Sequence, residues 1–135
     1  MPAGYSETPL AKKLNLRDDQ RVWFHAMPES VQDEIGEYAL DLIFVADPAE
    51  GIDAAHIFVT TREELSSLLA TLRNQIATDG HIWVSWPKQA SKVPTDVPQD
   101  TIREVALPTG LVDTKVCAVD ETWSGLKLVI RKDLR

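Results

Sequence analysis

The stretch from Ile52 to Pro87 limits the possible fold more than any other part of the chain. It opens on "IDAAHIFVT" (52–60), a continuous apolar run of strand length, and closes on a second such run, "HIWVSWP" (81–87). Between them lies "TTREELSSLLATLRNQIATDG" (60–80). There Leu65, Leu68, Leu69, Leu72 and Ile76 recur at i, i+3, i+4, i+7 and i+11, one stripe of an amphipathic helix. Thr61 and Glu64 have the spacing of a capping box, and Asp79-Gly80 is expected to end the helix. Strands that are apolar on both faces must be covered on both faces, and a strand-helix-strand unit gives a parallel pair.

The rest of the chain repeats that alternation. "SETPLAKKLN" reads as a short helix, capped by Ser6 or Thr8, with Pro9 in its first turn and Asn15 in the left-handed position at its end. A strand is expected over about 21–26. A second helix is expected to be capped by Ser30, with Val31, Ile35, Tyr38 and Ala39 as its apolar stripe and Gly36 weakening it. "DLIFVA" (41–46) has strand length, and "DPAEGID" is a turn. A last helix starts near Pro98, with Ile102, Val105 and Ala106 inward. "LVDTKVCAVD" and "LKLVIR" form a final pair joined by "ETWSG", short enough to be antiparallel. The fold class is therefore α/β: a three-layer, Rossmann-like, mostly parallel sheet whose last strand is antiparallel. At 135 residues a single domain, 1–135, is expected.

The charge balance narrows function. The net charge is -7, the acidic groups are scattered, and no Lys/Arg stripe exists, so nucleic acid is not an expected partner. The one cysteine, Cys117, cannot form a disulfide within the chain, which fits a reducing cytoplasm. No signal-like or membrane-spanning run is visible, so neither secretion nor a membrane partner is expected.

The element order resembles a shortened class I S-adenosylmethionine-dependent methyltransferase fold. "IDAAHIFVT", the helix after it and "DGHIWVSWPK" are similar to that family's fourth strand, fourth helix and fifth strand. "TGLVDTKVCAVDETWSGLKLVIRK" is similar to its closing strand pair. The strings "TPLAKKL", "FVTTREEL", "WVSWPK" and "VCAVDETWSGLKLVIRK" also resemble a small bacterial family known as a domain of unknown function, which implies no activity. The methyltransferase resemblance implies glycines after strand one, where backbone closely approaches a cofactor, and an acidic residue after strand two. Asp47 meets the second requirement. The turn after strand one is His25-Ala26-Met27-Pro28-Glu29, with no glycine and with a proline that removes a donor. Met27, Pro28 and Asp47 thus mark a degenerate cofactor position, and no cofactor is expected.

Ligands of open α/β sheets bind beyond the carboxyl ends of the strands. That rule selects His25, Asp47, Thr61, Trp86, Lys88 and Asp120 to Ser124 as rim residues. Lys88 and Lys92, four apart in "SWPKQASK", form a local basic spot suited to an anion, and Thr61 opens a helix. Trp86 and Trp123 offer rings for stacking, and Asp120 a carboxylate. His25 is placed for proton transfer but has no nameable partner. In "DETWSG", the alternative reading makes Trp123 a cap on the core and gives Gly125 a positive φ. Cys117, mid-strand, reads as a buried structural residue and His56 as a satisfied core histidine. The three histidines have no metal-ligand spacing, and Ser85 lacks a nucleophile-elbow surround. The expectation is a non-catalytic methyltransferase-like domain acting as an intracellular interaction or regulatory module with a protein partner. The alternative is a binder of, or enzyme on, a small anionic metabolite at the carboxyl rim. An active methyltransferase ranks last.

Overall fold

The computed structural model describes residues 8–135. Six strands, β1 (Arg21–His25), β2 (Ile43–Phe44), β3 (Ile52–Phe58), β4 (Ile76–Pro87), β5 (Leu111–Ala118) and β6 (Trp123–Ile130), form one sheet in the order β2-β1-β3-β4-β6-β5. The first four are parallel, and β6 inserts antiparallel between β4 and β5. Helices α1 (Leu10–Lys13) and α2 (Glu29–Gly36) cover one face, where Leu10, Leu14, Val31 and Ile35 pack with Val22, Phe58 and Trp83. Helices α3 (Arg62–Leu72) and α4 (Gln99–Ala106) cover the other, where Leu65, Leu69 and Ile102 pack with Ile57, Val84 and Leu126. The three layers follow from the continuous apolar runs, because β3 and β4 bury both faces.

Several local expectations give way to tertiary forces. Ile76 completes the helical stripe in sequence, yet α3 stops at Leu72 and Ile76 opens β4, paired with Ile52. The register then jumps, so that Ala54 pairs with His81 and residues 77–80 bulge out. Glycine is needed at the end of that bulge: a Cβ on Gly80 would clash with the Asp53 carbonyl oxygen. Pairing with β3 outweighs one more helical turn.

The caps shift as well. Pro28, not Ser30, is the N-cap of α2, and Pro9 that of α1, while Ser6 lies outside the described residues. Proline is fixed near the φ that precedes a helix, so it competes well with a hydroxyl there. Asn15 is left-handed as its residue type implies (φ 60°). Tyr38 and Ala39 lie beyond α2 and are exposed. The run 41–46 shrinks to the two-residue edge strand β2, with both side chains exposed. β6 starts at Trp123, so Gly125 is a strand residue and not a positive-φ turn. Its Cβ position is 3.1 Å from the Trp83 ring, which accounts for the absent side chain. Cys117 is only half-buried; burial pushes its thiol up, against the opposing pull of Lys13 and Lys115.

Candidate functional site

The carboxyl rim begins with the turn after β1. Ala26 takes a left-handed φ of 54°, a conformation that glycine adopts freely and alanine does not. The turn therefore needs the glycine geometry but lacks glycine. Met27 packs against the α1–α2 core, and the Pro28 carbonyl accepts from Val31 and Gln32 N–H at 3.0 and 3.1 Å. Asp47 follows β2, the parallel neighbour of β1. Its carboxylate accepts from Ala49 N–H at 2.9 Å, while Glu50 Oε2 accepts from the Asp47 N–H at 3.1 Å, a closed capping box.

Two residues far apart in sequence meet at the start of α3. His25 Nε2 lies 3.0 Å from Glu64 Oε2, both side chains being about one-third exposed. The other oxygen, Glu64 Oε1, accepts from Thr60 N–H at 3.4 Å. Thr61 caps α3 by accepting from Glu64 N–H at 3.2 Å. The helix N-terminus that could receive an anion holds one of the chain's own: the Asp96 carboxylate accepts from Arg62 N–H at 2.7 Å. Thr95 Oγ1 and Asp96 N–H both donate to the Thr60 carbonyl, at 2.8 and 3.1 Å, which ties the loop down.

The remaining rim candidates are divided by the sheet. Trp86 is buried in the α3–α4 core, whereas Trp123 packs against the α1–α2 core, edge-on to Phe58 at 5.0 Å. Lys88 Nζ donates to the Asp120 carbonyl at 2.6 Å, and the Asp120 carboxylate accepts from Thr122 and Trp123 N–H at 2.8 Å each. Lys92 is exposed on a left-handed turn and does not converge with Lys88. Sequence reasoning names His25 but not Glu64 or Asp96. Their roles rest on β1–β3 adjacency and a loop returning over α3, neither of which leaves a local signal. His56 is satisfied as expected, with Nε2 2.6 Å from Ser85 Oγ. Among the described residues no group of three His, Cys, Asp or Glu is placed to hold a metal, and no helix is long and apolar enough to cross a membrane.

The charge is less scattered than it reads along the chain. Residues 29–51 hold seven acidic residues and no basic one, so the whole excess of -7 sits on the segment containing α2 and β2. Burial first, then the Glu37 charge, raises the Glu34 carboxyl above its ordinary value, with Lys13 opposing. The same segment carries exposed apolar side chains: Tyr38 (41%), Ile43 (44%) and Phe44 (66%). A hollow of about 150 Å³ opens beside them, lined by Phe24, Gln32, Ile35, Leu40, Leu42 and Phe44.

Residues 11–132 match the family described as "Protein of unknown function (DUF3052)". The chain belongs to that family. No curated protein matches it by sequence. Solved structures do. Magnesium protoporphyrin IX methyltransferase from Synechocystis PCC 6803 with bound SAM is 13% identical with a TM-score of 0.57, over 90% of this chain and 74% of that one. Ribosomal protein L11 methylase from Lactobacillus delbrueckii subsp. bulgaricus is 11% identical with a TM-score of 0.55, over 90% and 77%. Aeropyrum pernix fibrillarin in complex with S-adenosyl-L-methionine is 12% identical with a TM-score of 0.53, over 93% and 70%. At such identities the likeness is one of fold, and the family member has a methyltransferase-like, Rossmann-type fold.

Proposed function

We propose that this domain is a non-catalytic docking module whose β2 edge receives an extended, basic segment of a protein partner. The supporting observation is a coincidence on one edge. β2 bonds inward through Ile43 N–H to the Gln20 carbonyl (2.9 Å) and Val45 N–H to the Val22 carbonyl (3.1 Å). Strand alternation turns the peptide groups of Phe44 outward, where they can template another strand. The exposed Ile43 and Phe44 side chains lie on that edge, and the segment 29–51 that contains it carries seven acidic residues and no basic one. Strand addition draws affinity from main-chain bonds and specificity from side-chain pockets, and opposite charge speeds encounter.

The test uses two extended peptides, one alternating Val with Lys and one alternating Val with Glu. The Val–Lys peptide should give saturable, salt-sensitive amide shifts at residues 42–45, and the Val–Glu peptide none. Phe44→Glu, at a side chain two-thirds in water, should keep the fold and lower the affinity by ~10-fold or more. Shifts confined to another surface, or equal binding of both peptides, would overturn the reading. The reading also expects no S-adenosylmethionine site beside Met27 and Asp47. A rise in melting temperature at micromolar S-adenosylmethionine, with shifts at those residues, would contradict it.

A further inference from the structure

A cavity lined by described residues lies far from both the carboxyl rim and the β2 edge. It sits at the amino end of β4, where the bulge before His81 lifts residues 77–80 away from β3 and the end of α1 crosses in front of β6. Its volume is about 410 Å³, within the range of small-molecule sites. Lys12, Asn15, Arg17, Asp79, His81 and Lys127 supply its polar lining.

Three observations describe what the cavity lacks. First, its cations have no counter-charge. Among the described residues the side chains of Lys12, Arg17 and Lys127 make no ion pair and no hydrogen bond, unlike the nearby Lys13 and Lys115, which donate to the Ala118 and Lys13 carbonyls. Three cations against the single carboxylate of Asp79 leave two positive charges, in a chain that is otherwise acidic. Burial first, then the like charges of Lys115 and Arg17, holds the Lys127 ammonium below its ordinary value.

Second, two lining residues carry buried polar atoms without partners, Asn15 Oδ1 and His81 Nε2. His81 is 6% exposed, so bulk water does not satisfy it. Buried polar atoms are nearly always paired, and an orphaned pair in the wall of one cavity calls for an occupant. Third, both orphans suit a hydroxyl group. Asn15 Oδ1 can only accept. Nε2 of a neutral imidazole accepts or donates according to its tautomer, and a hydroxyl can pair with it in either.

We infer that this cavity binds a small phosphorylated polyol, its phosphate held by Lys12, Arg17 and Lys127 and its hydroxyls donating to Asn15 Oδ1 and pairing with His81 Nε2. A phosphate monoester carries close to two negative charges at neutral pH, which matches the uncompensated charge. Its hydroxyls provide donors that a simple oxyanion or an apolar carboxylate lacks. Arg17 forks onto phosphate oxygens, while the two lysines act as point charges. The site is independent of the β2 edge and remains whether or not that edge docks a partner.

Glycerol 3-phosphate is the test ligand, with inorganic phosphate and glycerol as separate arms, all at equal ionic strength and titrated to ~10 mM, an order above a millimolar Kd. The His81 Nε2 and Asn15 side-chain resonances should shift saturably with glycerol 3-phosphate, weakly with inorganic phosphate and not with glycerol. The double variant Arg17→Met, Lys127→Met should weaken glycerol 3-phosphate by ~10-fold or more, as expected for losing charge-assisted bonds. Asn15→Gly suits the left-handed backbone and removes the side-chain amide while leaving the cavity's cations in place. It should weaken glycerol 3-phosphate while leaving inorganic phosphate unchanged. Absence of saturable shifts, equal response to sodium chloride, or unchanged affinity in the double variant would overturn the assignment. Equal binding of both phosphates in the unaltered chain would overturn the hydroxyl half of it.

Discussion

Lowering the pH from about 7 to about 4.5 is expected to remove on the order of 5 kcal/mol of folding stability through two buried histidines. His56 stacks on Phe58 with ring centroids 4.5 Å apart, tilts against Trp83 at 6.4 Å and touches Ser85 Oγ at 2.6 Å. Burial first, and then His81, holds its pKa down to about 3. His81 falls to about 4, again by burial first, then by the charge of Lys127, with the Leu14 backbone opposing and Arg17 adding a little. Both rings titrate near 6.5 when unfolded. The folded values are lowered, so below 6.5 the unfolded chain binds the extra protons. Stability is complete above that pH and declines as pH falls toward 4. Each histidine then contributes a slope approaching 1.36 kcal/mol per pH unit. Urea unfolding at stepped pH values measures it. His56→Gln should roughly halve the slope between pH 6 and 4.5, because one of the two titrating groups is gone. If neither His56→Gln nor His81→Asn changes the slope, carboxylates and not histidines govern acid unfolding.

Those two histidines show how much of the fold was legible and where legibility stopped. His56 sits inside "AAHIFV", and a histidine in a continuous apolar run has to be a neutral, hydrogen-bonded core residue. Nothing in the sequence named Ser85 as its partner, because that contact needs the β3–β4 register. Layering and strand direction were readable for a similar reason: continuous apolar runs flanking an amphipathic helix admit few arrangements. Boundaries were not. Ile76 fits a helical stripe and a strand equally well, and only Ile52, across the sheet, decides between them.

The carboxyl-end rule selects residues that follow the strands at one end of the sheet. The rule says nothing about faces, however, and so could not tell that Trp86 and Trp123 fall on opposite sides. The acidic groups read as scattered along the chain, although residues 29–51 hold seven of them and no basic residue. The meaning of that segment depends on β2 being an edge, and that follows only from the strand order.

Trp83→Ala is expected to cost about 4 kcal/mol, close to the upper end for one buried aromatic side chain. Trp83 is among the largest fully buried side chains, and its indole Nε1–H donates to the Leu14 carbonyl at 2.8 Å. The cost extends past the cavity left behind. Helix α1 has only four residues, far too few to hold together alone. It stays on the sheet through Leu10 and Leu14, which share the Trp83 cluster, through that hydrogen bond, and through the Lys13–Ala118 and Lys115–Lys13 bonds to β5. Gly125 on β6 leaves room for the ring, so no neighbouring side chain is poised to fill the space. Denaturant unfolding gives the stability. Hydrogen exchange at Leu14 and Leu16, whose N–H groups donate to the Leu10 and Ala11 carbonyls at 2.9 and 3.0 Å, reports on α1 itself. Trp83→Phe separates packing from hydrogen bonding. It keeps most of the ring and should cost ~1–2 kcal/mol, the range for a buried carbonyl left without its donor. Exchange at Leu14 and Leu16 should quicken in both variants, and more in Trp83→Ala. Unchanged exchange would show that Leu10, Leu14 and the lysine bonds to β5 hold α1 without Trp83. It would then not be Trp83 that fixes the position of Asn15, the residue that follows α1 and closes one wall of the cavity.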